Sequence, residues 1–137
     1  MKINPTVFEY PLTIREFHID TLQHVNNATY LAIFEEARWE LCTKNGWGLK
    51  EVHEKQKSPI ILEINIRFKR EVHCREKTII KSRCIEYEGK TGKLEQILFK
   101  ENGEEACSAT IIFGFFDLKT RKLILPTPEW LKAIGMD

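Results

Sequence analysis

The chain is 137 residues long, the usual size of one compact domain, so a single domain over residues 1–137 is expected. Twenty-one Lys and Arg stand against 20 Asp and Glu, a net charge of +1. That balance supplies no field to draw the chain to nucleic acid or an anionic membrane, and points to small molecules and proteins as partners.

In chain order, residues 7–19 alternate loosely between apolar and polar around Val7, Phe8, Tyr10, Ile14 and Phe17, which predicts a first strand with an edge or bend at Pro11. From Asn27 to about Lys44 the apolar residues Tyr30, Phe34, Ala37 and Leu41 recur at helical spacing. The result is a helix of about 18 residues and roughly 27 Å. Asn26 is placed to cap its start, and Asn45-Gly46 to end it. The polar stretch 46–59 reads as a connection with a short helical turn through Leu49 and Val52. Ile60, Leu62, Ile64, Ile66 and Phe68 then alternate with mostly polar residues, a period-two strand with one apolar face. Thr78 to Glu88, Leu94 to Glu101 and Ala106 to Leu118 are three more strands, separated by turn signals at 88–92 and at Asn102-Gly103, hence antiparallel neighbours. Within the last, IIFGFF (111–116) is apolar enough for the centre of a sheet. Thr127-Pro128 opens a short final helix. A helix this apolar must be covered, so the order predicts an α+β domain: an antiparallel curved sheet wrapped around a long central helix.

Cys42, Cys74, Cys84 and Cys107 are widely spaced and form no C-x-x-C pair, which fits reduced thiols in a cytosol better than a disulfide framework or a zinc site. His18, His53 and His73 show no metal-ligand spacing, so no metal is expected. No run approaches the roughly 18 apolar residues that span a bilayer, and residues 1–17 lack a signal core; a cytoplasmic chain is expected.

The chemistry concentrates just before the long helix, where Asp20, His24, Asn26 and Asn27 cluster. The first turn of a helix offers unpaired N–H groups and a partial positive charge that can hold a developing oxyanion. A carboxylate beside it can serve as base or nucleophile. Between residues 67 and 83, Arg67, Lys69, Arg70, Arg75, Lys77, Lys81 and Arg83 outnumber Glu71 and Glu76 by five, a candidate contact for phosphates or an acidic carrier protein and equally an ordinary strand surface. Glu35 and Glu36 on the helix read first as structural, and Tyr30 and Trp39 as packing residues.

The segment DTLQHVNNATYLAIFEEAR, residues 20–38, resembles the hotdog-fold acyl thioesterases. The offsets from Asp20 through Asn27 to Tyr30 look like the 4-hydroxybenzoyl-CoA thioesterase and YbgC-like branch, and QHVNN (23–27) looks like the active-site segment of acyl-ACP thioesterases. The resemblance implies a single hotdog domain that releases a carboxylic acid from an acyl-CoA or acyl-ACP thioester. Asp20 would then be the catalytic carboxylate, the Asn27 backbone N–H the oxyanion donor and His24 a supporting group. Asn26, Tyr30, Arg67, Lys69 and Arg70 would contact the substrate. It implies no cofactor beyond the coenzyme A or phosphopantetheine of the substrate, and a homodimer or homotetramer. One position departs from the acyl-ACP pattern: Leu22 stands where that family commonly has Asn, and its side chain cannot orient a water or carboxylate by hydrogen bonding. The competing readings are a hydratase or dehydratase on the same fold, and a non-catalytic module that binds acyl thioesters.

Overall fold

The computed structural model describes residues 6–136. Strand β1 (Phe8–Thr13) leads through a 3₁₀ turn at Glu16–His18 to helix α1 (Asn27–Lys44). Helix α2 (Leu49–Lys55) follows, then β2 (Lys57–Phe68), β3 (Lys77–Glu88), β4 (Thr91–Phe99), β5 (Glu105–Asp117), the three-residue β6 (Lys122–Ile124) and helix α3 (Pro128–Ala133). The strands form one antiparallel sheet in the order β1-β3-β4-β5-β2, with β6 pairing β5 at Phe115 to Asp117, beyond the end of β4.

The long helix spans the expected residues because both ends are capped as the sequence signals. Asn26 Oδ1 accepts from the Ala28 N–H at 2.9 Å, and Gly46 takes the left-handed conformation (φ +101°) that stops the helix. Its buried residues, Tyr30, Ile33, Phe34, Ala37, Leu41 and Cys42, join the core with Ile80, Leu94, Leu98, Ile111 and Phe113 of the sheet. The first strand is shorter than expected: it ends at Thr13, where the chain turns into the 3₁₀ segment. The polar connection carries a full two-turn helix, α2, and β6 was not foreseen.

Strand β2 corrects the expected face. Its register against β5 shifts between Ile61 and Glu63, so Leu62 is a bulge residue without a partner. Phe68, Ile66 and Ile64 pair with Cys107, Ala109 and Ile111, all buried, but beyond the bulge Ile61 and Pro59, not Leu62 and Ile60, pair with buried Phe113 and Phe115. Paired residues share a face. The core side of β2 is therefore Phe68, Ile66, Ile64, Ile61 and Pro59. It is poorly covered: Phe68 is 51% exposed, Ile61 39% and Ile64 36%. The outer edge of β2 pairs with no described strand.

Candidate active site

Residues 19–25 form a tight loop closed at its base. Ile19 bridges Val25, the Asp20 N–H donates to the His24 carbonyl (3.2 Å), and the Gln23 N–H donates to the Asp20 carbonyl (2.9 Å). Gln23 takes a left-handed conformation (φ 68°) to make the reversal, a cost of about 1–2 kcal/mol for a residue with a Cβ. The loop is tied down from the other side: Val25 N–H donates to the Val72 carbonyl at 3.0 Å and His24 bridges His73. Asp20 and His24 are thereby fixed side by side at the entrance to α1.

Both carboxylate oxygens of Asp20 are occupied. Oδ1 accepts from the Leu22 N–H at 2.8 Å, and Oδ2 from Asn26 Nδ2 at 3.2 Å. These bonds, Asn26 first and Leu22 second, hold the Asp20 carboxyl below the usual carboxylate range, and the nearby His24 ring adds to the effect. The group is ionised at neutral pH. Leu22 thus orients the carboxylate after all, through its main chain; its side chain is 70% exposed. Any residue that keeps the turn supplies that N–H, which is why the departure at this position leaves the Asp20 geometry intact.

Asn26 works in two directions at once, capping α1 with its oxygen and holding Asp20 with its nitrogen. The next N–H, that of Asn27, finds no acceptor among the described residues. It opens with Asp20 onto a cleft of ≈ 500 Å³ lined by Asp20, Leu22, His24, Asn26, Asn27 and Tyr30, with Phe68, Lys69, Arg70 and Glu71 opposite. An ionised carboxylate, a free helix N-terminal donor and a rim of Lys and Arg are therefore gathered around one space. Such a set can bind a carbonyl oxygen at the donor and deliver a base or nucleophile to its carbon.

The structure brings seven of the eight expected residues to this cleft; Arg67 is exposed outside it. Tyr30 is buried against Phe68, ring centroids 5.5 Å apart, and forms the apolar wall. The basic surface is largely neutralised: Lys69 pairs with Glu105 (3.0 Å), Arg70 with Glu104 (3.2 Å), Arg75 with Glu16 (2.7 Å) and Arg83 with Glu95 (2.9 Å). Glu35 and Glu36 lie away from Asp20, with Glu36 accepting from the Tyr10 hydroxyl. Two neighbours were missed. Glu71 sits 3.7 Å from His24 Nε2, and the His73 ring lies edge-on to His24 at 6.4 Å. No sequence spacing signals them, since they approach from the segment after β2.

The profile of the thioesterase-like superfamily matches residues 15–134. The chain belongs to this superfamily. Membership bears out the reading as a thioester hydrolase. It is 33% identical over 114 residues to the long-chain acyl-CoA thioesterase FadM of Escherichia coli K12, covering 82% of this chain and 86% of that one. The crystal structure of the probable thioesterase YbaW from Escherichia coli superposes with a TM-score of 0.81 at 30% identity, over 93% and 96% of the two chains. The Staphylococcus aureus protein SAV2348, solved in complex with CoA, gives 0.88 at 20% identity, over 98% and 85%, and shares the fold.

Proposed function

We propose that this thioester hydrolase cleaves acyl-CoA, with Asp20 as the reacting carboxylate and the Asn27 N–H as oxyanion donor. The observation that carries the reading is the pairing of an ionised, doubly hydrogen-bonded Asp20 with the unpartnered Asn27 N–H in one open cleft. The thioester carbonyl oxygen points at the donor, which strengthens its hold as the oxygen becomes negative, an effect worth roughly 10²-fold to 10³-fold. Asp20 takes a proton from water as the water oxygen adds to the carbonyl carbon. Collapse of the adduct breaks the C–S bond, the thiolate leaves with that proton, and a carboxylic acid remains. In the alternative order, Asp20 itself adds to the carbon, the C–S bond breaks to release the thiolate, and water then hydrolyses the mixed anhydride to the acid and the regenerated Asp20 carboxylate. His24 makes no side-chain hydrogen bond to Asp20 and supports the site through the loop backbone, its carbonyl accepting from the Asp20 N–H.

Coenzyme A is favoured over a carrier protein because the rim residues Lys69 and Arg70 are paired with glutamates, which leaves no broad basic face for an acidic protein. FadM acts on long-chain acyl-CoA by its name and SAV2348 was solved with CoA, which supports the same preference here. The Asp20-to-Tyr30 offsets support placement in the 4-hydroxybenzoyl-CoA thioesterase and YbgC-like branch, with α1 as the helix the sheet curls around. The unpaired edge and half-bare core face of β2 support a homodimer or a dimer of dimers, since an edge of this kind recruits another strand. A panel of acyl-CoAs and acyl carrier protein substrates read with a thiol-detecting dye tests the function. Thiol release from acyl-CoAs is expected; water addition to a trans-2-enoyl-CoA without thiol release would replace the reading with a hydratase.

A further inference from the structure

A second cavity, ≈ 140 Å³, lies under the later turns of α1 and is walled by Trp39, Cys42, Ile61, Ile111, Phe113 and Trp130. One cation faces this apolar space. Arg38 Nη1 donates to Gln96 Oε1 at 3.0 Å, and no carboxylate of the described residues lies within ion-pairing distance of the guanidinium. A guanidinium carries five N–H donors, and here one bond is made. Among the described residues no side-chain nitrogen is both fully buried and unpartnered, so the remaining Arg38 donors are not sealed off. Glu35, the other charged residue lining the cavity, is exposed on the preceding turn.

The arginine is deliberately held. Gln96 is fully buried on the core face of β4, where an apolar side chain would pack without cost. Its Nε2 donates to the Phe34 carbonyl (3.1 Å) and to Ser82 Oγ (3.0 Å), leaving Oε1 aimed at Arg38. Both polar atoms of this amide are bonded: Nε2 fixes its orientation and Oε1 meets the guanidinium beside an apolar pocket.

The position relative to the cleft gives the arginine a use. Arg38 follows Asn27 by eleven positions on α1, which is three turns and about 20°, so both lie on one face, roughly 16 Å apart along the axis. Between them Leu31 and the core-face Ile64 and Ile61 are all exposed apolar residues. A chain that starts at the thioester and follows this apolar strip meets Arg38 after roughly a dozen carbons.

We propose that Arg38 is a specificity residue that binds a carboxylate at the far end of the acyl chain, making ω-carboxyacyl-CoAs of about a dozen carbons preferred substrates. This rests on the thioesterase reading. A hydrocarbon terminus offers the free Arg38 donors no acceptor, whereas a carboxylate takes them in the two-pronged geometry that suits arginine.

The test compares kcat/KM for dodecanoyl-CoA and the mono-CoA thioester of dodecanedioic acid. The wild-type protein is expected to favour the diacid about tenfold or more. Arg38→Met should lose or invert that ratio and Arg38→Lys should retain part of it; each ratio is internal to one variant, so altered folding cancels. Equal ratios in wild type and Arg38→Met overturn the proposal. Absence of thiol release from every acyl-CoA would instead overturn the thioesterase reading. The Arg38 site is then decided by titrating free dodecanedioate and dodecanoate against the fluorescence of Trp39 and Trp130, which line the cavity: tighter diacid binding lost in Arg38→Met supports it, and indifference to the second carboxylate refutes it.

Discussion

Replacing Asn26 separates the two bonds its side chain makes. Oδ1 caps α1 through the Ala28 N–H at 2.9 Å, and Nδ2 holds Asp20 at 3.2 Å. Asn26→Ala removes both. Loss of an N-cap costs about 1 kcal/mol, which in a domain of this size lowers Tm by roughly 3–5 °C. Asn26→Asp keeps the cap, because Asp and Asn cap equally well and a negative charge suits a helix N-terminus. It removes the donor to Asp20, however, and sets a second carboxylate beside it. The Asn26 bond is the main cause of the low Asp20 pKa, so its loss raises that pKa, and the like charge raises it further. A base must be ionised to act, so the acid limb of the kcat/KM profile moves to higher pH in both variants, and further in Asn26→Asp. The stability linkage has the same sign. With a folded-state pKa below the unfolded one, the contribution of Asp20 is present above the unfolded pKa and lost as pH falls through the folded pKa; either variant shrinks it. Thermal melts at pH 7 and thiol-release rates from about pH 3 upward, reaching below the ordinary carboxylate range, supply the two readouts. A native-like melt in Asn26→Asp with a displaced acid limb is expected. An unshifted limb in both variants would refute the role given to Asn26 at Asp20.

Burial pushes the thiols of Cys42 and Cys107 up to about 12 and that of Cys84 up to about 11, whereas Cys74 is only part-buried. Maleimide at pH 7.5 should therefore label the native protein once, at Cys74, and all four cysteines in denaturant, counted by mass spectrometry. Light scattering should find the wild type dimeric or larger, and a monomeric wild type would contradict the edge-pairing account.

Local signals carried most of the legible structure. Helix α1 was readable because its caps, Asn26 and Asn45-Gly46, flank its apolar stripe directly, and the four cysteines and the cluster from Asp20 to Asn27 needed no distant partner to be noticed. The Leu62 bulge was not readable: Ile60, Ile61 and Leu62 are all apolar, so either phase of the alternation fits, and only pairing with β5 selects Ile61 and Pro59 for the core side. The three-residue β6 is shorter than any reliable period. At the site, Leu22 looked like a loss because its side chain is apolar, while the contribution is its N–H, which sequence type does not encode. Glu71, and the pairing of Arg38 with Gln96 across 58 positions, depend on tertiary approach. Likewise the excess of Lys and Arg between residues 67 and 83 is largely taken up by ion pairs of Lys69, Arg70 and Arg83 with Glu105, Glu104 and Glu95, which only the fold brings within reach.

The most direct measurement is the steady-state rate of thiol release from a long-chain acyl-CoA by Asp20→Asn against wild type. The substituted amide keeps the size of the carboxylate but supplies neither base nor nucleophile, so kcat should fall by about 10²-fold to 10⁴-fold with the melt little changed. A rate within a factor of two of wild type would contradict the assignment of Asp20 as the reacting group.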